Sequence, residues 1–269
     1  MKTEMVNGIL PLEYDKYVFD LYGTLVDIRT HEDDPVLWQN LAIFMGYYDA
    51  VYTPEDLEDA YLKLVKRRED ELEKKLMEQQ GKEGAYCRKK DDLHEAHPEI
   101  EIAGVFEELY QAKGVSAEES LVRHTAQFFR AVSTEYLRLY PGTVEMLKYL
   151  RQAGKKIYLL SNAQRIFTEY EMNALQITPY FDGILISSDF GVKKPDLAFY
   201  EQLFLQFGVT ADRTIMVGND SKADIVGGKQ AGFATYYVKS SISPEGDCAP
   251  MADYQVPRFE TWDLPRDSK

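Results

Sequence analysis

One feature constrains this chain more than any other: short apolar runs, each closing on polar or acidic residues, recur between helical patterns. The runs are KYVFD (16–20), KKIYLLSN (155–162), GILISSD (183–189), TIMVGND (214–220) and ATYYVK (234–239). Each is continuous in apolar character and rich in Val, Ile, Leu or Tyr, which is how a strand covered on both faces reads. Between them lie GTVEMLKYLRQAG, AQRIFTEYEMNALQI, DLAFYEQLFLQFG and SKADIVGGKQAG. Their caps and glycine stops stand where helices begin and end: Asp196 before one, then Gly154, Gly208 and Gly232 as stops.

Strand alternating with helix predicts an α/β fold, a Rossmann-like parallel sheet with helices on both faces. In such sheets ligands bind beyond the carboxyl ends of the strands. The first four runs end there in Asp20, in Ser161 and Asn162, in Ser187, Ser188 and Asp189, and in Asn219 and Asp220. A buried strand ending in a carboxylate, as FDLYGTLVD does at Asp20, places a charge at the edge where polar groups converge. The tail segment DYQVP is expected to add one last edge strand.

Residues 30–138 read differently: rich in Glu, Lys, Leu and Tyr, with almost no β pattern. TPEDLEDAYLKLVKRREDELEKKLMEQQ carries Leu57, Tyr61, Leu64 and Val65 at helical spacing, with Thr53 as cap and Pro54 at the first helical position. GVFEELYQAKG and SAEESLVRHTAQFFRAVSTEYLRLY continue the helical reading, and GKEGAYCRKKDDLHEAHPE reads as a loop or broken helix. The expected organisation is an α/β core from 1–29 and 139–269 with an all-helical cap domain, 30–138, inserted straight after the first strand and its turn.

The 269 residues suit one large domain or two smaller ones, and 45% hydrophobic content supports a substantial core. With 31 basic against 45 acidic residues the formal charge is −14, a balance that repels nucleic acid and anionic lipid. A small anionic substrate is compatible with it if cations gather at one site. Two cysteines, Cys87 and Cys248, are too few for a disulfide framework or a zinc site. The amino-terminal stretch lacks a secretion signal's apolar core and no run is long enough to span a bilayer, so a cytoplasmic protein is expected.

Four pieces stand in order at the predicted strand ends: DLYGTL (20–25), LLSN (159–162), KKP (193–195) and GNDSKAD (218–224). Together they resemble the haloacid dehalogenase superfamily, and the helical insert resembles that family's first-position cap. The resemblance implies Asp20 as a nucleophile that forms a covalent intermediate, splitting one hard step into two. It implies that Ser161 donates to a transferring oxygen and that Lys194 neutralises Asp20 and the substrate. Thr24, Asn162 and Asn219 are implied on the phosphate-binding side. Mg²⁺ is implied between Asp20, the carbonyl of Tyr22, Asp220 and Asp224, an oxygen set that suits this ion. Capping offers a second role for Ser161 and for Asp220. The first acid of the fourth piece can fall on Asn219 or Asp220; Asp220 is the expected ligand and Asn219 its hydrogen-bonding neighbour.

The resemblance divides at position 22. Phosphatases of the superfamily carry a second Asp there, whereas Tyr22 matches the dehalogenases; a phenol with a pKa near ~10 is a poor base at neutral pH. Against dehalogenation, Asp220 and Asp224 are present, and DDPVLWQNLAIFMGYY contains no cation to grip a haloacid carboxylate. The reading is therefore Mg²⁺-dependent hydrolysis of a small phosphomonoester through an aspartyl-phosphate at Asp20. A metal-independent 2-haloacid dehalogenase and a non-catalytic binding protein are the alternatives. Candidate substrate readers are Arg88, Lys89, His94, Arg130, Tyr47, Tyr48 and Tyr86 in the cap and Arg165 after the second piece.

Overall fold

The computed structural model describes residues 3–82 and 97–265, with side chains of the first stretch described through residue 78. In chain order the elements begin β1 (Glu4–Met5), β2 (Lys16–Phe19), β3 (Val26–Thr30), α1 (Pro35–Gly46), α2 (Pro54–Lys82), α3 (Ala103–Gln111), α4 (Glu119–Ser133) and β4 (Thr134–Leu139). They continue α5 (Thr143–Gln152), β5 (Lys156–Ser161), α6 (Arg165–Ala174), β6 (Gly183–Ile186), α7 (Leu197–Phe207) and β7 (Thr214–Gly218). A π-helical turn over Ser221–Val226 then runs into α8 (Gly227–Gln230), followed by β8 (Ala234–Val238) and β9 (Tyr254–Val256).

Seven strands form a parallel sheet in the order β1-β9-β8-β7-β2-β5-β6. Its strands bury both faces. Tyr17, Phe19, Ile157, Leu159, Ile215 and Val217 point into one core, while Val18, Tyr158, Leu160 and Met216 point into the other. Successive side chains alternate across a strand, so two covered faces give the unbroken apolar runs of the sequence. The last strand is not the edge that its position in the chain suggests. β9 lies between β8 and β1, and the two-residue β1 is the outer strand. Backbone bonds from Glu4 to Asp253 and from Val6 to Gln255 hold β1 there.

The helical insert does not follow the first strand directly. β3 and β4 pair as an antiparallel ribbon, with Val26 opposite Leu139 and Ile28 opposite Leu137. TEYLRL is thus a strand rather than the end of α4. Its partner β3 lies more than a hundred residues earlier, and that pairing overrides the local helical pattern. Asp27 fixes the ribbon by accepting from Arg138 Nε at 2.9 Å and Nη2 at 2.7 Å. The ribbon spans both of the domain limits expected from sequence, 29/30 and 138/139.

Helices α1 to α4 pack around their own core, in which the rings of Trp38, Tyr61, Phe106 and Phe129 meet at tilted angles with separations of 5.2 to 5.8 Å. Tyr47 and Tyr48 are exposed at the end of α1. Tyr86, Cys87, Arg88, Lys89 and His94 lie outside the described residues. Among those described, no helix is long and apolar enough to cross a membrane.

Candidate active site

The sheet order brings three strand ends together. β2 is an interior strand, with β7 on one side and β5 on the other, and Phe19 is level with both Leu159 and Val217. The chain leaves β2 at Asp20, closes β5 on Ser161 and leaves β7 at Asn219. Sequence positions about 140 and 200 residues from Asp20 thereby meet at one edge.

Lys194 joins them. Its ammonium is fully buried and donates to Asp20 Oδ1 and Asp224 Oδ1, each at 2.7 Å. Burial works against this charge, but the two carboxylates outweigh it and hold the amine above its usual range. Burial pushes the Asp224 carboxyl up to about 7; the Lys194 charge opposes the rise and the Asp20 charge adds to it. Asn162 fixes the lysine backbone by donating to the Lys194 carbonyl at 3.0 Å and accepting from the Lys194 amide at 2.8 Å. Of the two adjacent lysines, Lys194 is the one turned inward.

In the fourth piece Asn219 and Asp220 point in different directions. The Asp220 carboxylate accepts from the amides of Lys222 and Ala223, both at 2.8 Å, and so caps the turn that follows. Asn219 instead faces Asp20: its side-chain amide lies 3.3 Å from Asp20 Oδ2 and 3.0 Å from the Tyr22 carbonyl. Turned nitrogen-first, the amide donates to both. Turned oxygen-first, it completes a set of three oxygens facing one another, which a cation satisfies; the Thr24 hydroxyl then donates to Asn219 Oδ1 at 3.3 Å. The expected grouping of three acids differs from this arrangement. Among the described residues no three His, Cys, Asp or Glu side chains gather as a metal cluster, and the oxygens beside Asp20 belong to a carbonyl and an amide. Asp224 is committed to Lys194 and, through Oδ2, to the Asp220 amide at 3.0 Å.

Two glycines are required by this crowding. A Cβ on Gly218 would stand 2.2 Å from the Asp224 carboxyl carbon, and one on Gly23 2.3 Å from the Asn219 amide nitrogen. Gly23 also has φ +85°, which side chains avoid. The Ser161 hydroxyl is wholly buried and meets no hydrogen-bond partner, an orphan that an oxygen of a bound group would satisfy.

Tyr22 directs its hydroxyl away from this cluster, to Glu171 and, over 3.1 Å, to Thr168. Burial, followed by the Glu171 charge, pushes the phenol far above its usual range. Glu171 is paired with Arg130 of α4, whose Nε donates to Oε1 at 2.6 Å, and the guanidinium stands 5.6 Å from the Tyr22 ring centre. Arg130 is therefore held by Glu171, and Arg165 by Asp189 at 2.7 Å. Sequence reasoning missed Glu171, because an acid on an amphipathic helix reads as solvent-facing; its partner is 41 residues away. Two clefts of about 620 and 530 Å³ border α6, and neither is lined by Asp20, Ser161 or Lys194.

The profile of the haloacid dehalogenase-like hydrolases matches residues 14–232. The glyceraldehyde 3-phosphate phosphatase of Methanocaldococcus jannaschii is 27% identical over 48% of this chain and 56% of its own length. The phosphoserine phosphatase of Thermus thermophilus is 28% identical over 52% of this chain and 55% of its own. The matched stretch thus spans about half the length of these relatives. A crystal structure of 2-haloacid dehalogenase from Pseudomonas syringae pv. Tomato superposes with a TM-score of 0.60 at 16% identity, covering 91% of this chain and 94% of that one; this likeness is one of fold.

Proposed function

The chain belongs to the haloacid dehalogenase-like hydrolases, and from that premise we propose that it hydrolyses a small phosphomonoester through a phosphorylated Asp20, with Mg²⁺ as cofactor. The observation that carries the reading is the junction of Asp20, Lys194 and Asp224 beside the converging Tyr22 carbonyl and Asn219 amide. The phosphatase names of the sequence relatives support the choice of substrate class.

In this reading an Asp20 oxygen attacks phosphorus, the bond to the leaving oxygen breaks, and that oxygen departs with the electron pair. Water then attacks the same phosphorus, releasing phosphate as the bond from phosphorus to the Asp20 oxygen breaks with its electron pair returning to the carboxylate. The proton that water gives up balances the one the departed oxygen takes from solvent. Lys194 orients Asp20 through the hydrogen bond it donates and offsets the charge brought by the phosphoryl group. The Ser161 hydroxyl gains a partner in one of its oxygens. The residues suited to hold Mg²⁺ are Asp20, Tyr22 through its carbonyl, and Asn219, with Asp224 behind them on Lys194. When bound, the ion supplies charge stabilisation to the transferring phosphoryl oxygens.

A second reading draws on Tyr22. Its hydroxyl is tied to Glu171 and Thr168, so it is not poised to protonate a leaving group. Halide needs no proton, which favours a dehalogenase in which Asp20 attacks carbon.

Release of inorganic phosphate from p-nitrophenyl phosphate and a panel of small phosphomonoesters decides between them. The proposal expects Mg²⁺-dependent release that chelator abolishes and that Asp20→Asn lacks. Halide release from a 2-haloacid in chelator, with no phosphate release, installs the second reading.

A further inference from the structure

Besides the ribbon, the helical unit is joined to the core by a segment that reaches the two turns carrying Ser161 and Lys194. Residues 97–102 run beside 187–193. The Lys193 amide donates to the His97 carbonyl at 3.0 Å, the Glu99 amide donates to the Gly191 carbonyl at 3.1 Å, and Pro98 bridges Val192. The Glu99 side chain then enters between the turns. It accepts from Ser187 Oγ at 3.0 Å and from Gln164 Nε2 at 2.8 Å. Gln164 also donates to the Ile100 carbonyl at 2.8 Å and accepts from the Ile102 amide at 2.9 Å.

The turns are themselves cross-linked. Ser187 Oγ accepts from the Ala163 amide and Ser188 Oγ from the Arg165 amide, both at 2.9 Å. Asn162 holds the Lys194 backbone from both sides. A continuous path of hydrogen bonds thus runs from Glu99 through Ser187 and Gln164 to the 162–164 turn, and on to the lysine that contacts Asp20. Burial raises the Glu99 carboxyl, while the Lys193 charge and the bonds from Ser187 and Gln164 oppose that rise. An apolar side chain would serve a merely structural seam at least as well. A carboxylate that finds its donors only when seated between these two turns makes their spacing specific.

We propose that Glu99 is a positioning residue for the reaction at Asp20, setting the spacing of the 161–165 and 187–194 turns from the helical unit. The inference rests on the phosphatase reading for its kinetic test and on geometry alone for its exchange test. A displacement of about 1 Å in a reacting group can cost ~100-fold in rate. Glu99→Ala is therefore expected to lower kcat by ~10-fold or more with KM changed by less than ~3-fold, and Glu99→Gln, which keeps an acceptor oxygen, to recover most of the loss. In amide hydrogen exchange, Glu99→Ala should raise exchange at 161–165 and 187–194 and leave β7 unchanged. Wild-type kcat in Glu99→Ala, a loss confined to KM, or an equal loss in Glu99→Gln overturns the proposal. If the wild-type protein releases no phosphate, the functional reading falls instead, and the exchange pattern alone decides; unchanged exchange in the two turns then overturns the positioning role.

Discussion

Replacing Lys194 by methionine keeps an unbranched side chain of comparable length and deletes the charge together with the two hydrogen bonds it donates. Wild-type Lys194 is buried between two carboxylates, with side-chain exposures of 1% for Lys194, 11% for Asp20 and 1% for Asp224. A unit charge pair at ~4 Å is worth ~4 kcal/mol at an effective dielectric of ~20. Removing one partner of a buried pair typically costs ~3–5 kcal/mol, because a charge is left without compensation. Asp224 limits that loss by taking up a proton. Its carboxyl already stands at about 7, and without the ammonium it rises further. The folded variant then binds a proton that the unfolded chain, with an aspartate near its ordinary 3.8, does not. Stability of the variant therefore falls as pH rises. Below about pH 6 both proteins hold this proton and the gap is constant; above about pH 7 only the variant does, and the gap widens by up to ~1.4 kcal/mol per pH unit. Urea denaturation in chelator at several pH values reads this directly. A loss under ~1 kcal/mol that does not change with pH would refute the buried three-group cluster.

Glu171→Ala leaves the partly buried Arg130, 17% exposed, without its carboxylate partner, and should lower unfolding free energy by ~2–4 kcal/mol, whereas Glu171→Leu with Arg130→Met should recover most of it; equal stabilities of the single and double variants would contradict the pairing. Gly218→Ala forces a methyl into the Asp224 carboxylate, and is expected to abolish turnover while circular dichroism stays native. Asp182 is held below its usual 3.8: burial raises it, but the Ile157 amide, Lys156 and Arg151 together outweigh that. Its contribution is present above that pH and lost as pH falls through the lowered value, so the advantage of wild type over Asp182→Asn in thermal melts should shrink under acid; an advantage independent of pH would contradict this. Mg²⁺ should raise the melting temperature of the wild type in a concentration-dependent way, following RT ln(1 + [Mg²⁺]/Kd), and should raise that of Asp20→Asn less.

Much of this was legible in the chain because the core strands are covered on both faces, so their alternation between two cores leaves no polar interruption. Asp20, Ser161 and Asn162 stood out because they end such runs or follow them at once, whereas Lys194 and Asp224 stood out through the family resemblance of KKP and GNDSKAD. The ribbon did not stand out: VDIRT and TEYLRL carry Asp27, Arg29 and Arg138, pair only with each other, and lie far apart in sequence. Asn219 and Asp220 were indistinguishable by spacing, since either can face Asp20 until the π-helical turn commits Asp220 to the Lys222 and Ala223 amides. The roles of Glu171 and Glu99 depend on partners brought from remote elements, Arg130 and Ser187, and no local pattern encodes them.

Rapid-quench peptide mass spectrometry during turnover addresses the central chemistry most directly. With a reactive phosphomonoester and Mg²⁺, the account predicts that the peptide containing Asp20 transiently gains the mass of one phosphoryl group, and that Asp20→Asn shows no such gain. Sustained phosphate release with Asp20 never modified, or a phosphoryl group found on another residue, would contradict it.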